Sequence, residues 1–360
     1  MKPHSRSTTR NLVAVGLAAS LALVAGCTKS EDGDASDKAS AASDGGGQQV
    51  AAGGDGKTCA IGDYGADKLD LKNTVVGFSQ SEKEANPFRI AETASIKAEA
   101  AKRGVKLLTA NAQSQFSKQI SDVQDLIARG AKLLVIAPLN SDGWEPVLQS
   151  AAAKKIPIIT IDRQINATAC KDYVSFIGSD FVKQGERAAD QLIEATGGKG
   201  EIAILLGAAG NNVTTERTKG FEDRIKAKAP GLKVVFKQTG EFTREKGQSV
   251  TEQLIQSKPG IKAVYAENDE MGLGAVNALK GAGKKPGDVK IVTIDGTRNA
   301  VQGIADGWIS AVIESNPRFG PLAFTTLDSF TQGKPVGEDI VIQDSQYTTA
   351  NAKADLGKAY

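Results

Sequence analysis

The sequence predicts an α/β protein of two doubly wound parallel sheets, each with five or six strands. Three observations predict it. Runs of Val, Ile and Leu recur between residues 74 and 316 and stay apolar on successive positions, as strands buried on both faces do. Amphipathic stretches with apolar residues at helical spacing separate most of these runs. A body of about 300 residues with this many β-α repeats suits two sheets better than one.

In chain order the strand candidates are 74–80, 106–112, 132–139, 156–162 and 173–180, then 201–207, 233–240, 262–269, 289–296 and 310–316. The first two intervening stretches show the helical signal most clearly. Residues 89–104 (RIAETASIKAEAAKRG) and 117–130 (SKQISDVQDLIARG) carry apolar residues on one face and end in glycine, a common helix stop.

Before this body the chain changes character. Lys2, Arg6 and Arg10 precede an apolar run over 12–25 that ends in VAGC, so residues 1–26 read as a signal peptide too short to span a membrane. Small residues directly before Cys27 are similar to the lipobox of bacterial lipoproteins, which predicts lipidation of Cys27 and a lipid anchor as the one membrane contact. Gly, Ala, Ser and Asp make up 22 of the 30 residues in 28–57, and such a segment buries too little surface to fold; 27–57 is expected to be a lipidated, disordered tether.

The whole chain has 44 basic and 42 acidic residues, and loss of the signal removes three of the basic ones, leaving −1. Nothing in that balance points to nucleic acid. The single histidine, His4, also leaves with the signal. No His-dependent triad, Cys–His pair or His-ligated metal is then available, so catalytic, metal and cofactor roles are not expected. Cys59 and Cys170 form an even pair in an exported body, which reads as a disulfide.

Open parallel sheets bind ligands beyond the carboxyl ends of their strands. The exits read EKEANPFR, DRQINA, GAAGNN leading to ERTKGF, GEFTR, ENDEM, DGTR and ESNPR. They repeat Asp, Asn, Arg and Phe, and none is a glycine loop for phosphate. Carboxylates, amides and guanidinium groups around aromatic rings suit a polyol: the polar groups pair with hydroxyls and a ring covers the C–H face. An Asp or Asn after a strand also serves as a helix N-cap, so no single one of them identifies a site.

NPFR (86–89), PIITIDR (157–163), ERTKGF (216–221), AENDEMGLGA (266–275) and TIDGT (293–297) together resemble the ribose and galactofuranose class of sugar-binding proteins that serve bacterial ABC importers. The resemblance runs from Thr74 to about residue 350. It implies the periplasmic binding protein type I fold, two Rossmann-like lobes joined by a three-segment hinge, here 58–178 plus 316–343 and 179–315 plus 344–360. It also implies a monomer that binds a monosaccharide and docks on an ABC permease. By motif, the ligand set is Asn86, Phe88, Arg89, Asp162, Arg163, Arg217, Phe242, Asn268 and Asp295, with Ser315 at a position where ribose binders have an amide.

Two departures bear on the sugar. Ribose binders place a second aromatic after the first, where this chain has Arg89; galactofuranose binders have an aromatic followed by Arg. GFSQ (77–80) and GWEPVL (143–148) are also shared with the galactofuranose class. A furanose, galactofuranose first, is therefore expected, with Arg89 presenting its donor fork to the exocyclic diol. Trp144 is expected to pack at the lobe edge. In the acidic stretch ENDEM, Asn268 is expected to face the sugar, Asp269 to cap the following helix or brace an Arg, and Glu267 and Glu270 to be solvated or structural. A receptor feeding a sensor kinase or chemoreceptor would use the same fold, and a glycosidase is the enzymatic alternative.

Overall fold

The computed structural model describes Gln48, Val50 and residues 56–360. The signal segment, Cys27 and most of the expected tether lie outside the described residues.

The first half of the body runs β1 (Thr58–Cys59), α1 (Ile61–Tyr64), β2 (Val75–Gln80), α2 (Pro87–Arg103), β3 (Lys106–Asn111), α3 (Phe116–Ala128), β4 (Leu133–Ile136), α4 (Glu145–Ala153), β5 (Ile158–Ile161) and β6 (Ser175–Ser179). The second continues with α5 (Phe181–Thr196), β7 (Lys199–Leu206), α6 (Asn212–Lys228), β8 (Gly231–Thr239), α7 (Arg244–Ser257), β9 (Ala263–Ala266), α8 (Asp269–Gly281), β10 (Lys290–Asp295), α9 (Arg298–Ala305) and β11 (Ala311–Glu314). The chain then returns through α10 (Gly320–Thr331), β12 (Val336–Gly337) and β13 (Asp339–Ile342), and ends with β14 (Gln346–Thr348) and α11 (Ala352–Asp355).

Two six-stranded sheets result, ordered β13-β6-β5-β4-β2-β3 and β14-β11-β10-β9-β7-β8. All pairs are parallel except β14 against β11. The chain passes between the sheets after β6, after β11 and between β13 and β14. In each sheet the strand order reverses next to a central strand, at β2 and at β7, and the crevice beyond such a reversal is where open sheets hold ligands.

Helices cover both faces, which is why the strands are apolar throughout. In β4, Leu133 and Val135 face one core while Leu134 and Ile136 face the other. In β9, Ala263 and Tyr265 face one core, and Val264 and Ala266 the opposite one. The α5–α6 crossing is backbone-close: a Cβ on Gly185 would lie 2.2 Å from the carbonyl oxygen of Arg217, so only glycine lets the two helices meet there.

Cys59 and Cys170 are disulfide-bonded across a sequence separation of 111. The bond ties β1 to the loop before β6. Within the expected tether, Gln48 and Val50 are among the described residues. Val50, its one aliphatic β-branched residue, bridges Ile342 of β13, and Gln48 donates to the Asn316 carbonyl at 2.7 Å.

Candidate functional site

A cavity lies where the strand exits of the two sheets face each other. Asn86, Phe88, Arg89, Asp162, Arg163, Arg217, Phe242, Asn268 and Asp295 all line it, together with Glu82 and Val213.

The β2 exit supplies four of these. Asn86 caps α2, its Oδ1 accepting the Arg89 N–H at 2.9 Å with Pro87 in the first turn. That cap points the first turn, with Phe88 and Arg89, into the crevice. Arg89 is 3% exposed and sits among three carboxylates: Nε donates to Glu82 Oε2 (2.9 Å), and Nη1 lies 2.8 Å from both Glu92 Oε2 and Asp162 Oδ2. Those acids hold its proton well above the usual guanidinium range against the opposing effect of burial. The expected open fork is therefore half committed: only Nη2 makes no hydrogen bond among the described residues. Glu82 also accepts from Arg163 Nη2 at 2.8 Å. Although burial disfavours its charge, the two arginines beside it bring its carboxyl down to about 2.

The β5 exit supplies Asp162, at φ 64°, and Arg163. Arg163 donates from Nη1 to the Leu139 carbonyl at 3.2 Å and lies 5.8 Å from the Phe242 ring centre. Its Nε is buried without a hydrogen-bond partner, 3.7 Å from Asp162 Oδ2.

From the second sheet, Arg217 on α6 donates from Nε to Gln184 Oε1 at 2.8 Å and from Nη1 to the Glu267 carbonyl; Nη2 lies 3.7 Å from Asp295 Oδ1. Burial raises the Asp295 carboxyl well above its ordinary value, with Asp269 adding to this and Arg217 opposing it. Phe242 takes φ 60° in the β8–α7 turn, and Asp295 φ 146° at the end of β10. Strained non-glycine residues at three strand exits are typical of a binding site held in place by its surroundings. The Phe242 ring needs Gly207, because a Cβ there would lie 2.0 Å from the ring.

Asn268 does two jobs: Oδ1 caps α8 through the Met271 N–H (2.9 Å) and Nδ2 donates to the Phe242 carbonyl (3.1 Å). Asp269 differs from expectation, since it neither caps its own helix nor touches an Arg. Its Oδ2 accepts from Gly296 N, Thr297 N and Thr297 Oγ1 at 2.7–2.9 Å, fixing the β10–α9 turn; α8 is already capped by its neighbour. Glu267 is fully buried and accepts from Gly207 N and Thr218 Oγ1, with burial pushing it up to about 7. Glu270 forms a two-point pair with Arg244.

Ser315 is not among the cavity-lining residues. Its N–H donates to the Asp295 carbonyl at 2.8 Å and its own carbonyl accepts from Tyr360 Oη at 3.2 Å, so it sits behind Asp295. Trp144 also stays away from the cavity, edge-on to Phe116 at 5.4 Å with Nε1 on the Asn140 carbonyl. The strand-exit reading passed over Glu82, which looks like one more surface charge in SEKE; its signal is position, two residues beyond β2 and seven before Arg89.

The cavity wall thus holds three arginines and three carboxylates, two amides and two phenyl rings. A bound charge of either sign would unbalance it, whereas neutral hydroxyls can bridge donors and acceptors. The two sides touch around it: Ser141 N donates to the Gly210 carbonyl (2.9 Å) and Gln164 N to Asn212 Oδ1 (3.1 Å), so the structure is a closed form.

The periplasmic binding protein domain matches residues 76–335. The galactofuranose-binding protein YtfQ of Escherichia coli (strain K12) is 36% identical over 289 residues, covering 79% of this chain and 90% of that one. The ribose import binding protein RbsB of Bacillus subtilis (strain 168) is 38% identical over 270 residues, covering 75% and 85%. The solved periplasmic binding protein component of the arabinose ABC transporter from Shewanella sp. ANA-3, bound to α- and β-L-arabinofuranose, is similar at a TM-score of 0.76 and 38% identity, over 79% of this chain and 95% of that one. With a family match over residues 76–335 and two α/β sheets of parallel layout, the chain belongs to the periplasmic binding protein domain family.

Proposed function

We propose that this chain captures a neutral furanose sugar, galactofuranose first, outside the cytoplasm and delivers it to an ABC importer. One observation carries the reading: a cavity between the strand exits of the two sheets whose wall sets three arginines, three carboxyl groups and two amides around two phenyl rings, donors and acceptors for hydroxyls with rings for the C–H faces. The names of its relatives, which include galactofuranose, ribose and arabinofuranose binders, point the same way. Glu82 is held ionised by its two arginines, while burial raises Asp295 well above its ordinary value beside Arg217, so the wall offers hydroxyls both acceptors and donors.

On this reading the sugar ring lies between Phe88 and Phe242, with Asn86, Asp162, Arg163, Arg217, Asn268 and Asp295 on its hydroxyls. Arg89 Nη2 meets the two-carbon exocyclic diol, which reaches one hydroxyl further than the hydroxymethyl group of a pentofuranose. The lobes are 58–178 plus 316–343 and 179–315 plus 344–360, closing about Gly178–Ser179, Ser315–Asn316 and Asp344. The body works as a monomer held to the membrane by a lipid on Cys27, and Cys27→Ala should release it from the membrane fraction; unchanged retention would refute the anchor.

Calorimetric titration of the full chain in detergent against D-galactose, L-arabinose and D-ribose tests the binding. Galactose, taken from its furanose form, should bind on the order of a hundredfold more tightly per furanose than ribose, because an unmet buried donor is costly. No saturable heat with any of the sugars would overturn the proposal.

A further inference from the structure

The closed cleft does not end at the sugar cavity. A second, larger space of about 1140 Å³ adjoins it and opens to solvent, and Glu82, Asn86 and Phe242 belong to the walls of both. The lobes touch at Ser141–Gly210, Gln164–Asn212 and Arg163–Phe242, and residues of both lobes wall this second space.

The outer chamber is built for a polar, uncharged occupant. Its acids are largely matched: Glu82 by Arg89 and Arg163, Glu270 by Arg244, and Glu241 by Lys246. Lys83 and Glu245 add one charge of each sign, and Ser114, Asn140 and Thr243 add neutral hydrogen-bonding groups. The partition between the chambers is a built feature. Glu241 and Phe242 both take left-handed backbone conformations (φ 51° and 60°) to set the Phe242 ring between them, in space that Gly207 leaves free.

Resting on the sugar reading above, we propose that this protein accepts furanosides and short furanosyl oligosaccharides. The furanose ring occupies the inner cavity, and the next neutral sugar unit lies past Phe242 and Asn86 in the outer chamber. Free monosaccharide fills only the inner part of the site. The importer it serves would then take up fragments that a glycan-cleaving reaction releases, as well as single sugars.

The test titrates the full chain in detergent with D-galactose and with a galactofuranosyl-(1→6)-galactofuranose disaccharide. The disaccharide should bind within about tenfold of free galactofuranose or more tightly. Ala85→Trp and Ala209→Trp, at exposed positions of the outer chamber on opposite lobes, should each weaken the disaccharide at least tenfold and leave galactose within about twofold. Binding of galactose with no binding of the disaccharide would overturn this inference and leave the sugar reading standing. Equal losses for both ligands in both variants would likewise overturn it. Silence of both sugars would remove the sugar reading and this inference with it.

Discussion

Glu82 places one negative charge between two guanidinium groups, Arg89 and Arg163, that would otherwise repel across the cavity. Its role is to aim them, so Glu82→Gln should weaken every sugar by about tenfold and lower stability by about 2 kcal/mol, read from calorimetry and denaturant midpoints. Unchanged affinity would show that the arginines hold themselves. Because its folded carboxyl titrates near 2 against an ordinary 4.5, its stabilisation is full above pH 4.5 and is lost as pH falls from there toward 2. Asn86, Phe88, Arg89, Asp162, Arg163, Asn268 and Asp295 were visible in the sequence at strand exits inside recognisable motifs, Arg217 by its motif on α6, and Phe242 by its strand exit alone. The sequence did not reveal that Arg89 would be shared among Glu82, Glu92 and Asp162, since those partners come from three different segments. Arg89→Phe would leave the buried Glu92 without its arginine and remove one of two arginines beside Glu82 and Asp162, so Arg89→Lys is the better probe of specificity. It should cost galactofuranose more than ribose, and equal losses would mean that the guanidinium fork does not select the sugar.

At the scale of elements, the links between the sheets carry unusual titration. Asp344, between β13 and β14, accepts from Gln184 Nε2 (2.7 Å) and Ser179 Oγ (3.2 Å), and burial raises it from 3.8 to about 7. Gln184 holds Arg217 Nε through its other end, so this acid is one hydrogen-bonded residue away from the cavity. A raised folded value means that the stabilisation is full below about pH 3.8 and is lost as pH rises through 7. Glu92, Glu267 and Asp269 are also pushed up to about 7 by burial. The melting temperature should therefore be higher at pH 5.5 than at pH 8, and Asp344→Asn should shrink that difference by a few degrees. A variant profile parallel to wild type would contradict this. The ten strands β2–β11 were legible as runs of Val, Ile and Leu, and α2 and α3 from their helical spacing. The strands β1, β12, β13 and β14 were not: their partners lie more than a hundred residues away or beyond a turn that the pattern does not mark.

At the scale of the whole molecule, two rigid sheets joined by three crossings predict motion of one lobe against the other. Solution scattering should give a smaller radius of gyration with saturating sugar than without, and identical profiles would argue against closure on the ligand. The disulfide lies within the first lobe, tying its entering strand to the loop before β6, so Cys59→Ser should lower stability by up to about 4–5 kcal/mol without changing sugar affinity. A loss of affinity matching the loss of stability would place the bond in the binding machinery. The ring form of the bound sugar separates a furanose binder from a pyranose binder. Carbon NMR of D-galactose labelled at its anomeric carbon, bound to the full chain, reads that form directly. The bound signal should fall at the furanose position, although the furanose is the minor form in free solution. A bound pyranose signal, or no bound signal at saturating protein, would contradict the furanose reading.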